Sequence, residues 1–326
     1  MFIPVFILAN ALYITGPGGN IYMAADEVPQ GSCVMSGSEE LVYDESDVNV
    51  CNKIVLEPGC YRAELRGGVG LKNDECVDFV DLSETSVVSA LFSLSEPTDV
   101  HVFRGGDGNP GSVKKTGTKH GTFGGGASGV DSLLVVGERV WRAEGGAGNT
   151  CTISYNNSAV NRLYSATAVA IGNGFGGKSG LGGANGYRGF RIYKTDTYGV
   201  GGGGGGAPSD KGGVSWQYNN ASSYPDFTVS IDPGIDGTPE SGGDGGNATS
   251  CKTYKCTEYA SVTGGKGGES VSFFCGGQMA VSYGGGGGGG AINGSGTSTT
   301  LVVNGGDGGS GSTGTSETSF VRIYKM

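Results

Sequence analysis

The chain of 326 residues contains only two histidines, ten prolines and no cluster of lysine and arginine, and each scarcity excludes a class of protein. The shortage of proline excludes a collagen-type repeat despite the 68 glycines. The net charge of −10, without a basic patch, argues against nucleic acid as a partner. Zinc-finger spacing is excluded because no C-x-x-C pair occurs and histidine is so rare. No amphipathic pattern with a 3.6-residue period extends over ten residues, so we expect very little helix.

Glycine is abundant from residue 105 onward, where short apolar strands run directly into glycine tracts. The segments VHVFRGGDGNPG (100–111), VWRAEGGAGN (140–149) and LVVNGGDGGSG (301–311) share this plan. Upstream, KIVLEPGCYRAELRGGVG predicts two short strands around a Pro58-Gly59 turn. We therefore divide the chain into an apolar segment (1–25), an N-terminal β region with disulfides (26–104) and a glycine-rich β/polyglycine domain (105–326).

The long tracts Gly201–Gly206 and Gly284–Gly290 admit two interpretations. They are either flexible linkers or packed helices of the polyproline-II type, with three residues per turn and no internal hydrogen bonds. Glycine keeps its N–H and has no side chain, so neighbouring glycine helices would approach closely and bond laterally. The tracts alternate with strands and cysteines, which favours the packed bundle.

The segments YGVGGGGGGA (198–207) and SYGGGGGGGA (282–291) resemble the glycine-rich domains of bacteriophage tail-fibre adhesins and of the anaplastic lymphoma kinase receptor ectodomain. PGCYRAELRGGVG is similar to the opening strand of the receptor type, and SFVRIYKM to its closing strand. The resemblance implies a mainly-β fold, an antiparallel, jelly-roll-like β-sandwich with an inserted bundle of polyglycine-II helices and almost no α-helix. It also implies a binding role rather than a catalytic one. The eight cysteines depart from the phage adhesins.

The N-terminal stretch from Phe2 to Ile14 is apolar, has the length of a signal-peptide core and is too short to span a bilayer as a helix. Ala9-Asn10-Ala11 offers a cleavage site, although a basic n-region is missing. We interpret the stretch as an export signal, with an apolar first strand or helix of the mature protein as the alternative. Export would place the protein outside the cell or on its surface.

The number of cysteines is even, which favours disulfides in an oxidising compartment over free thiols. Their pairing is not readable from the sequence, since eight cysteines allow about 105 connectivities. The eight are Cys33, Cys51, Cys60, Cys76, Cys151, Cys251, Cys256 and Cys275.

The octapeptide GNGFGGKS (172–179) matches the phosphate-binding loop of P-loop NTPases. Such a loop must lead into a helix whose N-terminus faces the phosphates. The residues that follow, GLGGANGYRGFRIYK, are rich in glycine and then β-like, so they do not predict that helix. We therefore interpret the octapeptide as another glycine helix or turn.

Acidic residues in the glycine segments suggest calcium, although tandem repeats and EF-hand spacing are both missing. Polar turn caps are the alternative. The residues are Asp107, Asp244 and Asp307 in G-G-D-G copies, and Asp232, Asp236 and Glu240 in IDPGIDGTPE.

Neither His101 nor His120 has a nucleophile partner that spacing can nominate, so we expect no catalytic residue, no cofactor and no enzyme activity.

The polar-aromatic segment SWQYNNASSYPDF (215–227) is of the kind that serves recognition, with Trp216, Tyr218 and Tyr224 as candidate contacts. Aromatics that cap the sandwich core are the alternative. The leading hypothesis is an exported, adhesin-like protein that binds a cell-surface glycan or protein. A structural subunit that assembles with copies of itself into an extracellular filament, sheath or matrix is the second, and an ice-binding protein the third.

Overall fold

The structure is a computed structural model, and the residues that it describes are composed of strands, turns and extended segments. They contain no helix, which confirms the mainly-β prediction. The described ranges are 5–8, 11–15, 21–24, 38–70, 87–116, 120–146, 152–157, 162–167, 197–200, 204–209, 211–212, 216–218, 227–252, 257–287, 289–295, 298–316 and 318–326.

Twenty-four strands lie within these ranges, and all but one of the strand pairs are antiparallel. They are β1 (Val5–Leu8), β2 (Ala11–Thr15), β3 (Ile21–Ala24), β4 (Glu40–Asp44), β5 (Cys51–Leu56), β6 (Gly59–Arg66), β7 (Val87–Leu94), β8 (Thr98–Phe103), β9 (Val113–Thr116), β10 (His120–Phe123), β11 (Ser132–Val136), β12 (Arg139–Ala143), β13 (Thr152–Asn157), β14 (Arg162–Thr167), β15 (Thr197–Val200), β16 (Trp216–Tyr218), β17 (Phe227–Ile231), β18 (Ala248–Lys252), β19 (Thr257–Val262), β20 (Val271–Cys275), β21 (Gln278–Ser282), β22 (Ala291–Ser295), β23 (Ser298–Val303) and β24 (Phe320–Lys325).

Two sheets pack face to face and form a β-sandwich. The first has the order β1-β2-β3-β7-β6-β24-β4, and the second the order β12-β11-β8-β5. Alternate residues of β6, β7, β8, β11, β12 and β24 point into the shared core, as the period of a strand requires. Tyr61, Phe92 and Trp141 stack with ring centroids 5.5 and 5.3 Å apart and join the two sheets. The core is built from strands on both sides of residue 104.

The Pro58-Gly59 segment separates two strands, as predicted, but these strands belong to different sheets. β5 pairs with β8 in the four-stranded sheet, whereas β6 pairs with β7 and β24 in the seven-stranded sheet. The segment is therefore a corner at which the chain crosses from one layer of the sandwich to the other. Sequence shows the turn, but the partners of each strand are distant in the chain.

The apolar N-terminal residues form β1, β2 and β3 at one edge of the seven-stranded sheet. β3 runs parallel to β7, with Tyr22 opposite Ser89 and Met23 opposite Ala90. This pair is the exception to the antiparallel arrangement that the resemblance implied. The prediction of an export signal for residues 1–25 stays a prediction.

A hairpin of β20 and β21 covers the outer face of the four-stranded sheet. Its turn, Gly276-Gly277, has φ values of +55° and +77°, which two-residue hairpins favour and glycine adopts without strain. Below it lies a second apolar cluster, so β11 is buried on both faces. The cluster consists of Phe103, Val130, Leu133, Cys275 and Ala280, with Phe273 packed against them.

The other strands form four smaller sheets. Their orders are β16-β15-β22-β23, β17-β18-β19, β13-β14 and β10-β9. Glycine-rich stretches connect many of these strands to one another and to the sandwich.

Candidate functional site

Glycine-rich stretches from across the chain lie side by side and form one hydrogen-bonded bundle. The backbone N–H groups donate to carbonyls of other stretches, so the bonding is lateral. This is the arrangement predicted for packed polyglycine, and it excludes flexible linkers for these residues. The stretches are 67–70, 105–111, 124–130, 145–146, 204–207, 232–237, 242–247, 263–269, 283–287 with 289–290, and 304–312.

The hydrogen bonds recur at every third residue. Between stretches 304–312 and 263–269 three successive bonds have lengths of 2.8, 2.8 and 2.7 Å. Their donors are the amides of Gly305, Gly308 and Gly311, and their acceptors the carbonyls of Thr263, Lys266 and Glu269. A helix of the polyproline-II type has three residues per turn, so it presents the same face to one neighbour at this spacing. The bundle therefore has the periodicity of polyglycine-II.

The backbones approach so closely that only glycine fits at the contacts. A Cβ atom on Gly285 would lie well inside 3.0 Å of the Gly125 carbonyl oxygen, a distance that real Cβ atoms do not show. The same holds for Gly267 against the Gly242 carbonyl. At these contacts the stretches therefore meet backbone to backbone.

The tract that follows β21 lies at the centre of the bundle. Gly284 accepts a bond from Ala207, and Gly290 donates one to Gly246, both 3.0 Å long. The tract is hydrogen-bonded to five other stretches: 124–130, 204–207, 242–247, 263–269 and 304–312. Gly206 also lies in the bundle, whereas Gly201 lies outside the described residues.

Aspartates of the glycine segments connect neighbouring stretches. The Asp244 carboxylate accepts bonds from the Gly267 amide, at 2.9 Å, and from the Lys266 ammonium group, at 2.6 Å. Asp307 accepts the Lys266 amide at 2.8 Å. The bond to Asp244 raises the pKa of Lys266 above its usual value. These carboxylates therefore act as polar links between backbones, as the turn-cap interpretation holds.

Asp107 and Asp236 have the same role. Asp107 accepts the Val69 amide at 2.8 Å. Asp236 accepts bonds from Lys211 and from the Gly212 amide, and these two bonds lower its pKa. Asp232 accepts a bond from Asn247, and the Glu240 carbonyl accepts the Ser270 amide. Calcium at any of these residues stays a prediction.

A buried polar cluster beside the sandwich has no signal in the sequence pattern. Glu45 is only 3% exposed, and its carboxylate accepts bonds from the Tyr43 hydroxyl, the Asp47 amide and the Asn52 side chain. Burial, together with the bond to Glu45, raises the pKa of Tyr43 above its usual range. The three donors together satisfy the hydrogen-bonding capacity of the Glu45 carboxylate, so the cluster holds the β4–β5 connection in place.

Asn49 attaches this connection to the glycine bundle. It adopts a φ of +60°, which asparagine tolerates better than most residues. Its side-chain oxygen accepts the Gly106 amide at 2.7 Å, and its side-chain nitrogen donates to the Ser312 hydroxyl at 3.0 Å. One side chain therefore joins the sandwich to two glycine stretches.

The predicted recognition residues are only partly within the described chain. Trp216 and Tyr218 lie in β16, an edge strand of its sheet, and Tyr224 lies outside the described residues. The GNGFGGKS octapeptide also lies outside them. His101 lies in β8, in the sandwich, and His120 in β10 of a separate two-stranded sheet.

Two cysteines and a histidine converge on the outer face of the four-stranded sheet. Cys51 and Cys275 form a disulfide with a Cα–Cα distance of 5.2 Å, across 224 residues of sequence. One ring nitrogen of His101 and the two sulfurs lie within 4.8 Å of one another. Cys60 is also disulfide-bonded, so the prediction of disulfides is confirmed for these three cysteines.

Comparisons with known proteins find no relative of this chain. No protein-family model, no curated protein and no solved structure matches it. The resemblance to phage adhesins and to the receptor ectodomain thus stays a prediction. The described part of the chain contains no apolar helix of the length that crossing a membrane requires.

Proposed function

We propose that the protein is an exported, non-catalytic binding protein that displays recognition segments on a rigid glycine scaffold. The observation that carries this proposal is the lateral bonding of the glycine stretches at every third residue. Such a bundle consists largely of backbone and has few side-chain rotamers to order, so the segments that leave it are held by a stiff scaffold. Its ligand would be a glycan or protein of a cell surface.

The Cys51–Cys275 disulfide is a second observation that supports this proposal. Cys51–Cys275 joins β5 to the β20–β21 hairpin, and the hairpin leads directly into the central glycine tract. Disulfides of this kind persist in oxidising compartments, where an exported binding protein works. The sandwich, the hairpin and the bundle are thereby tied into one frame.

The test is binding to a glycan array and to intact cells, with wild type compared with a triple variant. The variant is Trp216→Ala, Tyr218→Ala and Tyr224→Ala. Aromatic residues dominate many binding surfaces, so the variant should bind at least about 30-fold more weakly, as expected for loss of a hot spot. Substitution of the paired Tyr155 and Tyr164 by Ala is the matched control, since it removes aromatics from another hairpin.

Two results would refute the proposal. One is absence of binding across a broad glycan array and a cell panel. The other is binding that the two variants weaken equally, which would show that the segment 215–227 has no specific role in recognition.

A structural subunit that assembles with copies of itself is the second candidate, and one observation favours it. β4 lies at the edge of the seven-stranded sheet, and no strand of the described chain pairs with its outer side. There Leu41 is 50% exposed and Val42 39% exposed. An edge strand with exposed apolar residues is a template for pairing between chains.

Electron microscopy of the purified protein over a concentration series distinguishes the two candidates. Ordered filaments that Leu41→Lys abolishes and Ile235→Lys does not would favour the structural subunit. Ile235 is a fair control because it is 59% exposed but lies outside any strand. Discrete particles at every concentration would favour the binding protein.

A further inference from the structure

We propose that Cys51, His101 and Cys275 form a metal site for zinc when the Cys51–Cys275 disulfide is reduced. The three residues are the one set of histidine, cysteine and acidic side chains in the described chain whose ligand atoms converge in this way. Two thiolates and one imidazole are ligands that Zn²⁺ prefers, and with three protein ligands a water molecule completes the tetrahedron. The inference goes beyond the proposed binding function.

Three different strands carry the three ligands. Cys51 lies on β5, His101 on the neighbouring strand β8, and Cys275 at the end of β20 in the hairpin above them. The hairpin turn lies directly over the histidine, because a Cβ on Gly276 would be 3.1 Å from the His101 Cβ. Cys275 is only 3% exposed, so its sulfur is shielded from solvent. The ligands therefore come from elements that the sandwich already positions.

The distances require only a small rearrangement. In a tetrahedral site with Zn–S bonds of about 2.3 Å, the two sulfurs are about 3.8 Å apart. A disulfide bond holds two sulfurs about 2.05 Å apart, so reduction must be followed by a separation of about 1.7 Å. Rotation of the two cysteine side chains provides a movement of this size. The His101 ring nitrogen lies within 4.8 Å of both sulfurs, so it can reach a metal ion bound between them.

The charge next to the site does not oppose a cation. Lys53 is the cross-strand neighbour of His101, but its ammonium group is paired with the Asp99 carboxylate at 2.6 Å. Both of those side chains are 55% exposed, so solvent screens the remaining charge. The two thiolates supply the negative charge at the metal.

The redox step balances with an external dithiol as the reductant. A dithiol reductant donates two electrons and two protons to the disulfide, which becomes two thiols, while the reductant itself becomes a disulfide. On metal binding both thiol protons leave to solvent, and the two thiolates and the neutral imidazole bind the ion. The disulfide and the metal are thus alternative clamps that hold the β20–β21 hairpin against β5.

The test is titration of the full-length protein with Co²⁺, and then with Zn²⁺ as competitor, before and after reduction by a dithiol that is afterwards removed. Thiolate-to-cobalt charge-transfer absorption reports sulfur ligands. The reduced wild type should bind one equivalent that the oxidised protein does not bind. His101→Ala should weaken this binding at least about 10-fold, because it removes a direct ligand. His120→Ala is the matched control and should leave it unchanged.

His101→Ala keeps both cysteines, so each variant can be folded with its disulfide intact and reduced only afterwards. The inference is overturned if the His101 and His120 variants bind cobalt equally well, which would assign the signal to other cysteines. It is also overturned if the reduced wild type binds no cobalt. Loss of β-type circular dichroism on reduction that saturating zinc does not restore would overturn it as well.

Discussion

Replacement of Gly285 by alanine tests the packed glycine bundle directly. Gly285 lies in the central tract, donates its amide to the Gly309 carbonyl at 2.9 Å and accepts the Gly268 amide at 2.8 Å. A Cβ at this position points at the Gly125 carbonyl oxygen, far inside the 3.0 Å limit. The contact is with backbone, so no side chain can rotate away to relieve it.

The expected loss of stability follows from the geometry. The stretch around Gly125 must move from the central tract by about 1 Å to reach an allowed contact. The bond from the Gly125 amide to the Gly286 carbonyl is 2.9 Å long, so the same shift lengthens it beyond hydrogen-bonding distance. A buried group left unsatisfied costs about 1–3 kcal/mol, and the shift affects one or two bonds. We expect the free energy of unfolding to fall by about 2–5 kcal/mol.

The assay is urea unfolding followed by circular dichroism and tryptophan fluorescence, with disulfides intact. Gly137→Ala is the matched control. It lies in the β11–β12 turn with a φ of +59°, and its Cβ would meet nothing within 4 Å. The control should therefore lose only about 1–2 kcal/mol, the cost of alanine in a left-handed conformation. Gly137→Asn should lose less still, since asparagine adopts this conformation more readily.

The reasoning is refuted if Gly285→Ala loses no more stability than Gly137→Ala. That result would mean that the central tract yields without cost and behaves as a loop. The proposed function would lose its main support at the same time.

Three further predictions concern the central glycine tract, the Cys51–Cys275 disulfide and the Glu39–Arg62 ion pair. Amide hydrogen exchange of Gly285 and Gly287 should be as slow as that of β6 and β24, because these amides donate to the Gly309 and Gly243 carbonyls inside the bundle. Replacement of Cys51 and Cys275 together by alanine should lower the free energy of unfolding by about 3–5 kcal/mol, since the disulfide closes a long loop, and protease should then cut at the β20–β21 hairpin. Glu39 has a lowered pKa because Arg62 donates a hydrogen bond to it, so its contribution to stability is present above its unfolded-state pKa of 4.5 and is lost as the pH falls below it. Glu39→Gln should remove this acid-dependent part, less than about 1 kcal/mol at such an exposed pair, in urea midpoints measured from pH 7 to pH 3.

Each of these has its own contrary result. Exchange of the Gly285 and Gly287 amides within seconds would contradict the bundle. An alanine double variant with unchanged urea midpoint and intact hairpin would show that apolar packing alone holds β20 and β21. Identical pH profiles for wild type and Glu39→Gln, with Glu96→Gln as an exposed control in the β7–β8 turn, would assign no stability to the Arg62 pair.

Strand positions were predictable where apolar runs stand beside turn residues. KIVLEPGCYRAELRGG shows β5 and β6, and the terminal FVRIYK shows β24, because alternation and turn chemistry are local properties. The sequence did not show that β5 and β6 lie in different sheets. Strand partners depend on which surfaces meet in the core, and those residues are far apart in the chain.

The candidate sites were likewise only partly predictable from the sequence. The aspartates of the glycine segments were visible, but their role as links between stretches depends on which amide lies opposite each carboxylate. The buried Glu45 cluster and the Cys51–His101–Cys275 group had no signal, because none of their spacings matches a local motif.

The sequence by itself determined the alternation of strands with glycine tracts, the near absence of helix and the close backbone-to-backbone contacts of the bundle, because glycine's missing side chain is a property of each residue alone. The tertiary structure decided which stretches are neighbours, with the 283–290 tract at the centre, and which cysteines pair. All glycine stretches offer the same N–H and C=O groups, so their own sequence carries little information about their partners. The strands that flank them, packed in the sandwich and joined by the disulfide, provide that information.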